Sequence, residues 1–124
     1  MNNNIPLGKL GEDLASKFLE KKGYKIIDRN FKKRYGEIDI IAIDSSEKTP
    51  VLVFIEVKTR TSSEYGSPLE AITYWKLKSL IKAAQYYKLT HRNLPDGLRI
   101  DAVSIKLGYN GETESIEHVK NISG

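Results

Sequence analysis

The chain has 124 residues, 40% hydrophobic and 29% charged, with 20 Lys and Arg against 16 Asp and Glu. This composition suits a single domain spanning 1–124 and excludes a disordered chain, and no apolar run approaches the roughly 20 residues of a membrane helix. The net charge of +4 and the pI of about 9.2 are compatible with binding phosphate backbones.

Met1-Asn-Asn-Asn-Ile-Pro6 lacks the basic start and apolar stretch of a signal peptide. Cysteine is absent, which excludes disulfides and thiolate metal sites and fits a reducing compartment. A cytoplasmic location is therefore the expectation. His91 and His118 lie far apart without partners at metal spacing, and both read as exposed loop or strand-edge residues. Any metal must then be held by oxygen, which points to a hard cation.

Leu7, Leu10, Leu14 and Phe18 recur at helical spacing, with Ala15 and Leu19 widening the stripe. Asn4 is the expected N-cap and Gly23 the stop. Tyr24–Ile27 reads as a strand, followed by a polar, basic connection up to Gly36. Residues 37–44 and 51–58 are β-branched and apolar, and the polar, turn-like 45–50 joins them as a hairpin. Residues 59–69, with Ser62, Ser63, Gly66 and Pro68, read as an irregular loop.

A second helix is expected from Glu70 or Tyr74 to Leu89, burying Leu77, Leu80, Ile81 and Ala84. Residues 98–107 form another buried strand, and Asn110-Gly111 turns it into a last strand near 115–120. The fold class is α/β: a mixed sheet with helices packed on its faces.

The third strand is apolar on both faces until Glu56 interrupts it, with Lys58 two residues along the same face. Pairing Asp44 with Val51 places Asp39 opposite Glu56. Opposed residues of an antiparallel pair have Cβ atoms about 5 Å apart and point the same way. Two like charges about 4 Å apart repel by roughly 4 kcal/mol at an effective dielectric of about 20. Lys58 offsets one of them, and a divalent cation with oxygen ligands, Mg²⁺ or Mn²⁺, resolves the other. A structural salt bridge is the competing explanation. A second Glu-x-Lys, at Glu20-Lys21-Lys22, sits among polar helical neighbours and reads as a solvated pair. Glu12 lies at the edge of the first helix's stripe, flanked by Gly8 and Ala15, small residues that would let the helix approach the sheet.

Gly11-Glu12-x-x-Ala15, Gly36-Glu-Ile-Asp-Ile-Ile41 and Val53-Phe-Ile-Glu-Val-Lys-Thr-Arg60 strongly resemble the YraN-type bacterial proteins. Gly66-Ser-Pro-Leu-Glu-Ala71, a lysine-bearing helix and Arg99-Ile-Asp101 extend the match over nearly the whole chain. That family looks like a member of the PD-(D/E)xK nuclease superfamily, similar to archaeal Holliday-junction resolvases. The resemblance implies a restriction-endonuclease-like αβββαβ core, Mg²⁺ dependence and phosphodiester cleavage. By position, Asp39 matches the motif's metal-binding Asp, Glu56 its second acid, Lys58 its lysine and Glu12 the acid of the first helix. Ile38 stands where the literal motif has Pro, and the only Pro-Asp string, Pro95-Asp96, falls in a loop.

The expectation is a metal-dependent endonuclease acting on DNA, with branched or junction DNA as a candidate substrate. Asp39, Glu56 and the Val57 carbonyl would hold Mg²⁺ or Mn²⁺, with Glu12 serving a second ion. Lys58 would orient the attacking water. Arg60, the basic stretch carrying Lys32, Lys33 and Arg34, and the helix lysines Lys76 and Lys78 would grip the backbone. Gln85 is a minor candidate for a polar contact against simple surface exposure, Tyr65 could help the 59–69 loop close over substrate or be a plain surface aromatic, and Trp75 is expected to pack on the sheet. The alternatives are a nucleic-acid-binding module with little cleavage alone and a structural domain with a buried ion-pair network. Junction resolvases work as dimers, which leaves a homodimer open.

Overall fold

The first helix, α1 (Leu7–Lys21), has Pro6 at its N-cap position with no side-chain cap. The cap assigned to Asn4 lies outside the described residues: the computed structural model describes 6–61 and 72–124. Gly23, at a φ of 93°, stops the helix, and the Tyr24 amide returns to the Leu19 carbonyl at 3.0 Å.

Strand β1 (Lys25–Lys33) then runs much further than the sequence pattern suggests. Its basic half, expected to be a connection, pairs with β2 (Gly36–Asp44) from Lys25↔Ile43 to Lys33↔Gly36. An edge strand has one neighbour and a solvated margin, so polar residues can occupy it without the apolar alternation that marks a strand.

The hairpin of β2 with β3 (Val51–Thr61) holds the expected register, Asp44↔Val51 through Ile40↔Ile55. Strand β3 includes Thr59–Thr61, which the sequence pattern assigns to a loop; the rest of that loop, 62–69, lies outside the described residues. Helix α2 (Tyr74–Thr90) crosses over to β4 (Gly97–Leu107), parallel to β3, and β5 (Thr113–Val119) returns antiparallel. Gly111, at a φ of 77°, makes the last turn, where the Gly108 amide donates to the Glu112 carbonyl at 2.8 Å. The sheet order is β1-β2-β3-β4-β5.

Among the described residues, each sheet face carries one helix. Ala15 and Leu19 of α1 pack on Ile40, Ala42, Val53, Ile55, Val103 and Ile105. Leu80, Ala83, Ala84 and Tyr87 of α2 pack on Ile41, Leu52, Phe54 and Ile100. Burying both faces of a central strand is what requires β3 to be apolar at consecutive positions. Among the described residues, no helix is long and apolar enough to cross a membrane.

A polar network sits inside the α1 layer. Arg99 reaches Asp101 (2.9 Å), Asp44 (3.0 Å) and the Tyr24 hydroxyl (2.7 Å), and His118 Nε2 lies 2.8 Å from Asp101. The His118 side chain is therefore buried, correcting its expected exposure; its ring also meets Phe18 and Tyr24 edge-on. The Arg99, His118 and Asn121 hydrogen bonds outweigh burial and hold Asp101 below the usual carboxylate range.

Candidate active site

The β2–β3 ladder ends one step before Asp39 would face Glu56. Instead of continuing that ladder, the Val57 amide donates to Asp39 Oδ2 at 2.8 Å. The cause lies in the strand's alternation. Ile41 packs on the α2 side and Ile40 on the α1 side, yet Ile38, which by alternation belongs with Ile40, packs on the α2 side. The neighbouring strand changes face at the same level. Arg29 pairs with Ile40 and reaches α1, Phe31 pairs with Ile38 and packs beneath α2, and Asn30 between them has a φ of 54°. A residue in the left-handed region breaks the pleat, and Asn tolerates it better than most. Asp39 thus sits where β2 shifts, with its carboxylate turned toward the β3 backbone.

Glu56 lies on the α2 face, 3% exposed. Its Oε2 is 3.4 Å from Lys58 Nζ and 3.7 Å from Lys76 Nζ. Lys58 arrives by strand periodicity. Lys76 arrives from the first turn of α2, which is fixed by the Thr73 hydroxyl accepting the Lys76 amide at 3.1 Å.

Glu12 approaches from the other face. Gly11 is buried, and a Cβ there would overlap the Thr59 hydroxyl and press on Thr59 Cβ at 3.0 Å, so this glycine sets how closely α1 approaches β3. Gly8, expected to share that role, faces open space. Arg29 Nη2 holds Asp13 at 2.8 Å and Glu12 at 3.6 Å.

Burial, reinforced by the Glu56 carboxylate and then by Glu12, pushes the Asp39 carboxyl up to about 8 against the Val57 hydrogen bond. Both nearby lysines pair with Glu56, so Asp39 is the strained acid. Among the described residues, no three His, Asp or Glu side chains stand close enough to enclose an ion. An oxygen-only set of two carboxylates and a backbone carbonyl fits Mg²⁺ or Mn²⁺, which keep several waters and are seldom caged by protein alone.

The structure thus brings together Asp39, Glu56, Val57 and Lys58, with Glu12 near enough for its charge to act on Asp39. Lys76, expected to grip a backbone, belongs to this cluster. Lys32, Lys33 and Arg34 are exposed at the β1–β2 turn, Lys78 is exposed on α2, and Arg60 is half-buried on β3. Trp75 is 73% exposed, so it does not pack on the sheet. Gln85 is exposed and lines a cavity of about 440 Å³ with Tyr35, Lys82, Tyr86 and Leu89, none of them acidic. Tyr65 lies outside the described residues. Sequence reasoning missed Arg29 as the partner of the α1 acids; its place among other basic residues gave no distinguishing signal.

Residues 11–105 match the model of the Uncharacterised protein family UPF0102. A UPF0102 protein of Syntrophomonas wolfei is 48% identical over 119 residues, covering 95% of this chain and 97% of the relative. One from Geobacter metallireducens is 44% identical over 119 residues, covering 96% and 93%. One from Renibacterium salmoninarum is 42% identical over 122 residues, covering 98% and 99%.

Proposed function

The chain belongs to the UPF0102 family, and we propose that it is a metal-dependent endonuclease of the PD-(D/E)xK superfamily that hydrolyses phosphodiester bonds in DNA, branched or junction DNA included. The observation that carries this reading is the meeting of Asp39, Glu56 and Lys58 at the end of the β2–β3 ladder, with Asp39 strained toward its protonated form.

Asp39, Glu56 and the Val57 carbonyl would hold Mg²⁺ or Mn²⁺, and Glu12 would serve a second ion. When bound, the ion polarises a phosphate oxygen and lowers the pKa of a water. Lys58 would orient that water and stabilise the negative charge that develops on the phosphate oxygens. Lys76 is a second cation for the same role, since its amine shares Glu56. Lys32, Lys33, Arg34 and Lys78 supply exposed positive charge for the backbone, and Arg60 extends it from the end of β3. A homodimer, with one site for each cut strand of a junction, belongs to the same proposal.

The test is cleavage of duplex, flap, single-stranded and four-way-junction DNA with Mn²⁺, with Lys58→Ala as control. Cleavage that persists at full rate in Lys58→Ala would sink the assignment. DNA binding without any cleavage would favour a binding module, a reading supported by two lysines already neutralising Glu56.

A further inference from the structure

Tyr74 and Trp75 open α2 with 64% and 73% of their surfaces exposed. They fall off the helix's buried stripe of Leu80, Ala83, Ala84 and Tyr87. Their rings meet edge-to-face at 5.2 Å, and Lys78 Nζ lies 5.3 Å from the Tyr74 centroid and 5.9 Å from that of Trp75. Two large adjoining aromatics left in water beside a cation mark a binding surface rather than packing.

The position is as informative as the exposure. Lys76, next in the chain, reaches Glu56 of the acid pair at 3.7 Å, so the aromatic pair sits beside the α2 residue that contacts the acids. The other exposed tyrosine pair is differently placed: Tyr86 stacks on Phe31 at 6.4 Å and Tyr35 leans against Tyr86 at 6.5 Å.

We propose that Tyr74 and Trp75 form a platform on which unpaired nucleobases stack beside the acid pair, so that the substrate carries single-stranded nucleotides next to the scissile phosphate. This rests on the nuclease reading and narrows its substrate class. A base inside a duplex already has both faces stacked; an unpaired base offers a face to an aromatic side chain. Lys78 supplies the charge that the neighbouring phosphate requires, and every base has a π-face, so the platform selects strandedness rather than sequence.

Trp75 is the chain's single tryptophan, so its fluorescence reports the platform directly. The experiment titrates full-length protein in EDTA with a short oligothymidylate or a blunt duplex, following tryptophan emission and, separately, the anisotropy of labelled DNA. The single strand should quench Trp75 while the duplex leaves emission unchanged. Trp75→Ala should weaken single-strand binding about ten-fold, from the usual loss of one base stack. Trp75→Phe should recover most of it, and Ser45→Ala, in the exposed β2–β3 turn at the other end of β3 from Glu56, should change nothing. Single-strand binding without quenching, together with wild-type affinity in Trp75→Ala, would overturn the platform and leave the nuclease reading standing. Equal quenching by duplex would overturn the preference for unpaired bases. If neither DNA binds in EDTA and none is cut with Mn²⁺, the nuclease reading fails and takes the platform with it.

Discussion

Asp39→Asn should stabilise the metal-free protein at neutral pH. The Asn side-chain oxygen can still accept the Val57 amide bond that Asp39 accepts at 2.8 Å, so the substitution removes charge and leaves the fold's contact in place. The native carboxyl holds its proton up to about 8, against an ordinary value of 3.8. Between those values the folded state binds a proton that the unfolded state has released, so stability falls as pH rises, by about 1.4 kcal/mol per pH unit, and levels off above the native value. At pH 7 the ceiling is about 4 kcal/mol. Water access and movement of Lys58 and Lys76 should relieve about half of it, leaving a gain of about 2 kcal/mol, or about 8 °C in melting temperature for a domain of this size. The assay is thermal unfolding of both proteins in EDTA from pH 5 to pH 8.5. The gap should favour the Asn variant, widen with pH, and close from the wild-type side when Mg²⁺ is added, with no comparable gain for Asn. An Asn variant melting below wild type by the same margin at pH 5 and pH 8 would refute the electrostatic account.

Lys58→Met and Lys76→Met should each cost about 1 kcal/mol in urea unfolding, because the other lysine still faces Glu56, and the double variant should lose more than the sum, about 3 kcal/mol or more, as the buried carboxylate is left unpaired. Additive losses would show that the two lysines do not share Glu56. Gly11→Ala should cost about 1–3 kcal/mol through its overlap with Thr59, and Thr59→Ala should restore part of that; denaturant midpoints of the single and double variants decide it. Asp101, held low by His118 and Arg99, contributes stability that is fully present above an unfolded value of 3.8 and lost as pH falls below it. Asp101→Asn should therefore melt well below wild type at pH 7, with the difference narrowing under strong acid. Replacing Lys32, Lys33 and Arg34 with Gln should flatten the salt dependence of DNA binding by a log–log slope of about 2–3; an unchanged slope would remove this turn from the interface.

The central strands were legible because burial on both faces leaves a compositional mark. Residues 37–44 and 51–58 are apolar where a solvated strand would alternate, and the polar 45–50 turn fixes their register. The second half of β1 was not legible. Arg29-Asn-Phe-Lys-Lys33 carries neither a strand's alternation nor a helix's period, and it is extended because β2 supplies its hydrogen bonds. Such a segment takes its conformation from a partner, which local propensity does not encode. His118 was misplaced for a similar reason: what buries it is Asp101 on another strand together with Phe18 and Tyr24.

For the site, the same distinction separates what periodicity carries from what tertiary approach creates. Strand alternation puts Lys58 beside Glu56, and hairpin register brings Asp39 to their level; both follow from counting. Counting fails at the ladder's last step. A regular strand would set Asp39 and Glu56 side by side on one face, yet Ile38 and Phe31 change faces around Asn30 and turn the Asp39 carboxylate onto the Val57 amide. Lys76 and Glu12 reach the cluster only because Thr73 caps α2 and Gly11 admits α1. Three local features therefore build the cluster: the change of face in β2 sets Asp39, the capped turn of α2 brings Lys76 to Glu56, and the glycine of α1 admits Glu12. A salt bridge serving stability alone would give Asp39 a cation, and among the described residues Lys58 and Lys76 are paired with Glu56 instead. That asymmetry, more than the presence of two acids, is what favours a metal-binding site over a structural ion pair.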